Sequence, residues 1–336
     1  MAVPLALCLL GTSAQADGGY RLGHGLDVGP FNIAGYSNLV VEAPRSRPKS
    51  LQIDDFSLFV TGHVGRLFNP FVEAEFTGFD LVRWDGESGA DRNGDLVLER
   101  LYNDFSIDET FTVRLGKMLT PVGQWNEIHA APLVLTAVRP AVTHRNFSEY
   151  ATGIAALYSD PFARNPDVQV YWQPEGEFFE RSRELAAHRY ETVAGIHVSM
   201  PFGLLDNVGA SFQYGSGDNG IDQTLFGFDF RVTMGRLTLQ GETTASQISN
   251  PGSAHVRNVE WGGYAAASYT LNAQWSIHVW YEAFADRTNR TAAQDMLVGF
   301  GYRVAPASEL RLEYLENFGG APVNPSGFFA SWSVLF

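Results

Sequence analysis

The sequence predicts an all-β fold, a transmembrane antiparallel up-and-down β-barrel of about sixteen strands. Three observations lead there. From position 31 onward, segments of about ten residues alternate apolar and polar side chains, the period of a strand with two unlike faces. The links between these segments are alternately short and long. No apolar run reaches the ~18–20 residues that a spanning helix needs, so a membrane crossing falls to strands.

The chain opens with AVPLALCLLGTSAQA, an apolar stretch ending in the small-residue site Ala14-Gln15-Ala16. It reads as a signal peptide over residues 1–16, cleaved before Asp17, although the positive charge that usually opens such a peptide is missing. Cys8 is the one cysteine. The mature chain, residues 17–336, then has none, which suits passage through an oxidising periplasm. It forms a single barrel domain.

Strands are expected at 31–43, 51–64, 70–79, 96–107, 111–119, 151–158, 168–173, 190–200, 207–214, 224–234, 236–246, 259–271, 274–285, 293–304, 309–317 and 328–336. The sixth and seventh carry the weakest alternation, which leaves fourteen as the other count. The clearest is 224–232: Phe226, Phe228, Phe230 and Val232 share one face, and Leu225, Gly227, Asp229 and Arg231 the other. After even-numbered strands the links are short, as at 108–110, 235, 272–273 and 305–308, the expected periplasmic turns. After odd-numbered strands they are long and polar, as at 80–95, 121–150, 174–189, 247–258 and 318–327. A soluble sandwich has no reason to alternate in this way.

Composition narrows the function. The 336 residues are 45% hydrophobic and 13% aromatic, with mean hydropathy −0.10, too apolar for disorder. The net charge of −14 argues against a nucleic-acid partner, since phosphates call for a basic face.

The stretch RLGKMLTPVGQWN at 114–126 resembles the strand end and loop of the phosphate-selective porin O and P family, and the tail FFASWSVLF is similar to the terminal strand of such barrels. The resemblance implies a Gram-negative outer-membrane channel for passive diffusion of small hydrophilic solutes or ions, anions such as phosphate among them. It also implies insertion by the barrel-assembly machinery, contact with outer-membrane lipid, and a homotrimer. Trp332, Val334 and Phe336 would carry the insertion signal. The long loop 121–150 stands where porins fold a loop inward as a constriction. Its cations His129, Arg139, His144 and Arg145 would then guide anions; a solvated loop tip is the plain alternative.

Reading the alternation inward places Glu73, Glu75, Arg100, Asp104, Arg114, Asp229, Arg231, Glu242, Glu282, Asp295, Arg303, Arg311 and Glu313 in the lumen. Cross-strand pairing accounts for most of these charges. Arg114, near Lys117 and Arg100, is the expected functional cluster, because the loop begins just beyond it. Acids outnumber bases on the list, however, and the chain has only two lysines, Lys49 and Lys117, whereas a phosphate filter concentrates positive charge.

Other chemistry is not signalled. The run Asp91-Arg92-Asn93-Gly94-Asp95 lacks the distal glutamate of a calcium loop and reads as a polar turn. There is no GxSxG, HExxH or Walker-type motif. His63, His197 and His278 are scattered polar lining, so no metal, cofactor or catalytic group is expected. Beside the channel stand a plugged structural or adhesion barrel and a barrel enzyme, for which no exposed serine is singled out.

Overall fold

A β-sheet keeps its edge groups satisfied inside a membrane only by closing on itself, and this chain closes. The computed structural model describes residues 19–84, 93–179, 190–203, 205–217, 220–250, 257–288, 291–320 and 323–336. The expected signal peptide lies outside the described residues, as do Asp91 and Arg92 of the calcium-like run; Asn93 to Asp95 belong to a strand.

Seventeen strands form one sheet: β1 (Leu26–Val28), β2 (Phe31–Pro44), β3 (Ser50–Gly62), β4 (Asn69–Arg83), β5 (Asn93–Ser106), β6 (Phe111–Leu119), β7 (Tyr150–Tyr158), β8 (Asp167–Gln173) and β9 (Thr192–Pro201) make its first half. The second half is β10 (Asn207–Ser216), β11 (Asp222–Met234), β12 (Leu237–Ser249), β13 (Val259–Thr270), β14 (Trp275–Ala285), β15 (Ala293–Ala305), β16 (Ser308–Phe318) and β17 (Gly327–Leu335). Strands β2 to β17 pair in chain order, all antiparallel, and β17 returns to β2 through the register Ala330↔Val41. The barrel therefore has sixteen wall strands, the sixth and seventh expected ones included. β1 is additional: three residues are too few to show alternation, and it continues the wall beneath β17 by pairing with the start of β2. The Gly23 N–H donates to the Leu335 carbonyl at 3.0 Å.

The outer face is apolar where lipid would lie. Phe226, Phe228, Met296, Val298, Phe300, Leu312 and Phe328 are exposed and large. Trp275 and Tyr302 meet ring to ring at 4.7 Å near one rim, the position of an interfacial girdle. Trp332 is exposed on the same side of β17 as Val334. Phe336 lies over Gly35, where an added Cβ would fall 2.8 Å from its ring.

Wall links at one end are short, as at 107–110, 235–236 and 306–307; the other end carries 120–149 and 174–191. The first described residues and Phe336 lie at the short-turn end. One bulge matters below. At Glu73/Ala74 the β4–β5 register slips, so Glu99 joins Arg100 on the inner side of β5, as a bulge re-aims a side chain. In β6, Gly116 has φ 132° and sits so close to Leu101 that a Cβ would fall 2.2 Å from its carbonyl oxygen; glycine is required there.

Candidate pore and constriction loop

The loop 120–149 enters the barrel, and lumen side chains hold its backbone. Glu242 accepts the N–H groups of Gln124 and Trp125 at 3.1 and 2.7 Å. Glu282 accepts those of Ala141 and Val142 at 2.9 and 2.7 Å. Glu313 accepts those of Ala137 and Val138 at 2.8 and 3.2 Å. Each carboxylate thus takes two consecutive backbone donors, Glu282 and Glu313 with one on each oxygen and Glu242 with both on Oε1, as charge-assisted acceptors. Arg311 does the converse, donating to the carbonyls of Ala131 and Val134, both at 2.8 Å.

The loop adds an apolar contact to these polar ones. Trp125, Val138, Ala141 and Val142 pack on Tyr264, Ala266, Trp280, Phe284, Leu297 and Leu315 of β13 to β16. Trp125 meets Tyr264 edge-on at 5.8 Å, a favoured aromatic geometry. A single 3₁₀ turn, Ala141–Thr143, presents its N–H groups to Glu282. On this side the lumen is a protein core.

Register explains why the anchors fall where they do. Asp229, Glu242, Tyr264, Glu282, Asp295 and Asn317 lie directly opposite one another across β11 to β16. Four carboxyl groups therefore share one rung of the wall, and neighbouring like charges would repel. The loop N–H groups, His197 on Asp229 at 3.1 Å and Asn317 on Asp295 at 2.7 Å offset that repulsion. Another acid is served by His278, which reaches Glu313 at 3.0 Å across Gly299; a Cβ on Gly299 would fall 2.3 Å from the imidazole. Pairing with opposite charges on neighbouring strands thus accounts for few of these acids.

The wall from β2 to β6 differs. Arg100 is bound to Glu73, and Arg114 makes a two-pronged pair with Asp104 at 2.8 and 2.9 Å. The two guanidinium groups lie over aromatic faces, Arg100 at 4.6 Å from Phe71 and Arg114 at 3.8 Å from Tyr102, within cation–π range. Phe71 and Tyr102 are themselves stacked at 5.2 Å. Beside them a recess of about 400 Å³ opens at the short-turn end, lined by Asp27, Asn32, His63, Asn69, Tyr102 and Asp104 among others.

The remaining expected residues are placed as follows. Lys117 is buried, its amine on Glu177, on the Phe179 carbonyl at 2.8 Å and over the Tyr150 ring at 4.7 Å. Glu75 accepts from Tyr36 at 2.9 Å. Arg139 pairs with Glu149 at 3.1 Å and donates to the Thr143 carbonyl. His144 is buried. Among the described residues the Arg145 side chain, half-buried, has no hydrogen bond or ion pair. His129 faces Glu99, with Nε2 3.5 Å from Oε2. In this loop residue burial disfavours the charged ring, but the Glu99 carboxylate outweighs it and the pKa is raised. Glu99 itself was not readable from alternation, because only the bulge turns it inward. The Arg287–Glu260 pair, at 2.7 and 3.0 Å, lay outside the expected set because Arg287 is on a loop.

No family model matches the sequence, and comparison with curated proteins finds no match. Solved structures do match. In-vitro folded OmpT, an outer membrane protein of Vibrio cholerae in its trimer form, superposes with TM-score 0.61 at 12% identity, over 92% of this chain and 100% of that one. OmpF of Salmonella typhi in complex with daunomycin gives 0.62 at 10%, over 91% and 97%. The anion-selective porin of Comamonas acidovorans gives 0.58 at 13%, over 91% and 97%. At these identities the likeness is one of fold, the sixteen-stranded porin barrel; kinship with the phosphate-selective O and P family does not follow from it.

Proposed function

We propose that this chain is an outer-membrane porin of a Gram-negative bacterium, a passive channel for small hydrophilic solutes and ions and not an enzyme. The observation that carries the reading is the inward loop: its larger apolar contact is with β13 to β16, and a recess opens at the short-turn end beside the ion pairs of β4 to β6. A sixteen-stranded barrel is wide enough to hold both a loop and water. The trimer form of the similar OmpT supports a homotrimer here. Stepwise conductance in a planar bilayer is the expected result; verified insertion with no conductance overturns the channel and supports the plugged barrel.

Preference for anions such as phosphate is a second reading, favoured by Arg145, the loop cation without an acid partner among the described residues. Arg100, Arg114 and Arg139 are ion-paired with Glu73, Asp104 and Glu149, which removes most of their pull on a passing anion. Under a salt gradient, Arg145→Gln should shift the reversal potential toward cations. An unchanged potential rejects Arg145 as the guide.

A further inference from the structure

Where the loop meets the β4–β5 wall, it brings an imidazole into a nest of buried carboxylates. Glu73 and Glu75 come from β4, Glu99 from the β5 bulge and His129 from the loop. One donor atom from each of Glu73, Glu75 and His129 lies within 4.8 Å of the other two. Glu99 Oε2 stands 3.5 Å from His129 Nε2. Around a four-coordinate ion with bonds of ~2.1 Å, neighbouring donors stand about 3.4 Å apart, so this edge has a tetrahedral length already.

Two further observations point the same way. His129 Nδ1 lies 2.9 Å from the Asn126 carbonyl. A carbonyl only accepts, so Nδ1 carries the proton and Nε2 is the atom turned to the acids. That outer bond to a backbone carbonyl is the support metal-binding histidines usually have. The second observation is charge. Glu73, Glu75 and Glu99 are all buried; Arg100 is bound to Glu73, and the hydroxyls of Ser57, Tyr36 and Tyr150 donate to Glu73, Glu75 and Glu99 in turn. Carboxylates crowded together in a buried setting are costly to keep ionised. A proton on Nε2 or a cation held beside it lowers that cost.

We infer that Glu73, Glu75, Glu99 and His129 form a binding site for a divalent ion of the zinc class, which ties the loop to the β4–β5 wall. The nitrogen donor separates it from calcium and magnesium sites, which take oxygen alone. Binding puts the metal where the Nε2 proton was, and that proton leaves to solvent. The site makes no use of conduction and stands whether or not the barrel is open.

The experiment uses the full folded barrel in detergent, stripped with chelator and desalted, then offered Zn²⁺ or Co²⁺. Wild type should retain about one ion per chain after gel filtration and release a proton on Zn²⁺ addition. With Co²⁺ it should show the strong visible absorption of a four-coordinate ion. His129→Ala and Glu75→Gln should each lose the ion and the band, and His63→Ala, in the short-turn recess, should keep both. Should His129→Ala fail to fold, Glu75→Gln and the wild-type proton release decide. Wild type that retains no ion overturns the site, as does retention unchanged in Glu75→Gln.

Discussion

The two sides of the lumen use similar residues to opposite ends. From β11 to β16 the inner wall is a core: aromatic and aliphatic side chains pack on the loop, and carboxylates there accept its backbone donors. From β2 to β6 acids and bases are matched, Glu73 with Arg100 and Asp104 with Arg114, over stacked rings. The loop's larger apolar contact is with the first side, whereas on the second it makes the smaller contact of Ala131 with Tyr36 and Phe59. The difference is one of partner: a carboxylate beside a loop N–H fixes a backbone, whereas one beside a guanidinium fixes another side chain.

Removing apolar mass from the docked side should have the largest effect. Trp280→Ala, from the buried cluster, should cost about 3–5 kcal/mol, read as a lower urea midpoint in lipid vesicles. Glu282→Ala strands the Ala141 and Val142 donors and should cost about 1–3 kcal/mol, with protease access to the loop and a noisier or larger conductance step. If that loop stays protected, the carboxylate is not its anchor. On the opposite side, Arg114→Met should change stability less than Glu282→Ala and leave the loop protected, since no loop donor depends on it; equal loop exposure would erase the contrast.

The smallest effect is one of pH. The His129 pKa is raised in the fold, so its contact with Glu99 contributes fully below the unfolded value of about 6.5 and is lost as pH rises through the folded value. In chelator-treated buffer, His129→Ala should be less stable than wild type at pH 5, with the gap closing toward alkaline pH. A gap independent of pH assigns the effect to packing.

Much of this contrast was legible in the sequence, for reasons that can be named. Period-two alternation located all sixteen wall strands, because lipid on one side and a filled lumen on the other enforce it in segments such as 224–232. The length of 120–149 marked the inward loop. Which acids hold it was not legible: Glu282 and Asp295 both read as inward carboxylates, and only their distances to Ala141 and Val142 separate them. Glu99 was hidden for another reason, since a bulge is a register event between two strands and leaves no mark in either alone. β1 was missed because its three residues, paired to the start of β2, are too few to show alternation.

That last arrangement has a bearing on assembly. The seam of the barrel joins β2 to β17, and its last hydrogen bonds run between Gly35 and Phe336, the final residue, both at 2.8 Å. About three hundred positions of chain separate the partners, so closure waits on the most distant strand pairing among the described residues. Until then the edge of β2 is open to any stray strand. The first described segment, hairpinned to the foot of β2 and bonded from Gly23 to Leu335, holds both sides of that seam and so works as a latch on it.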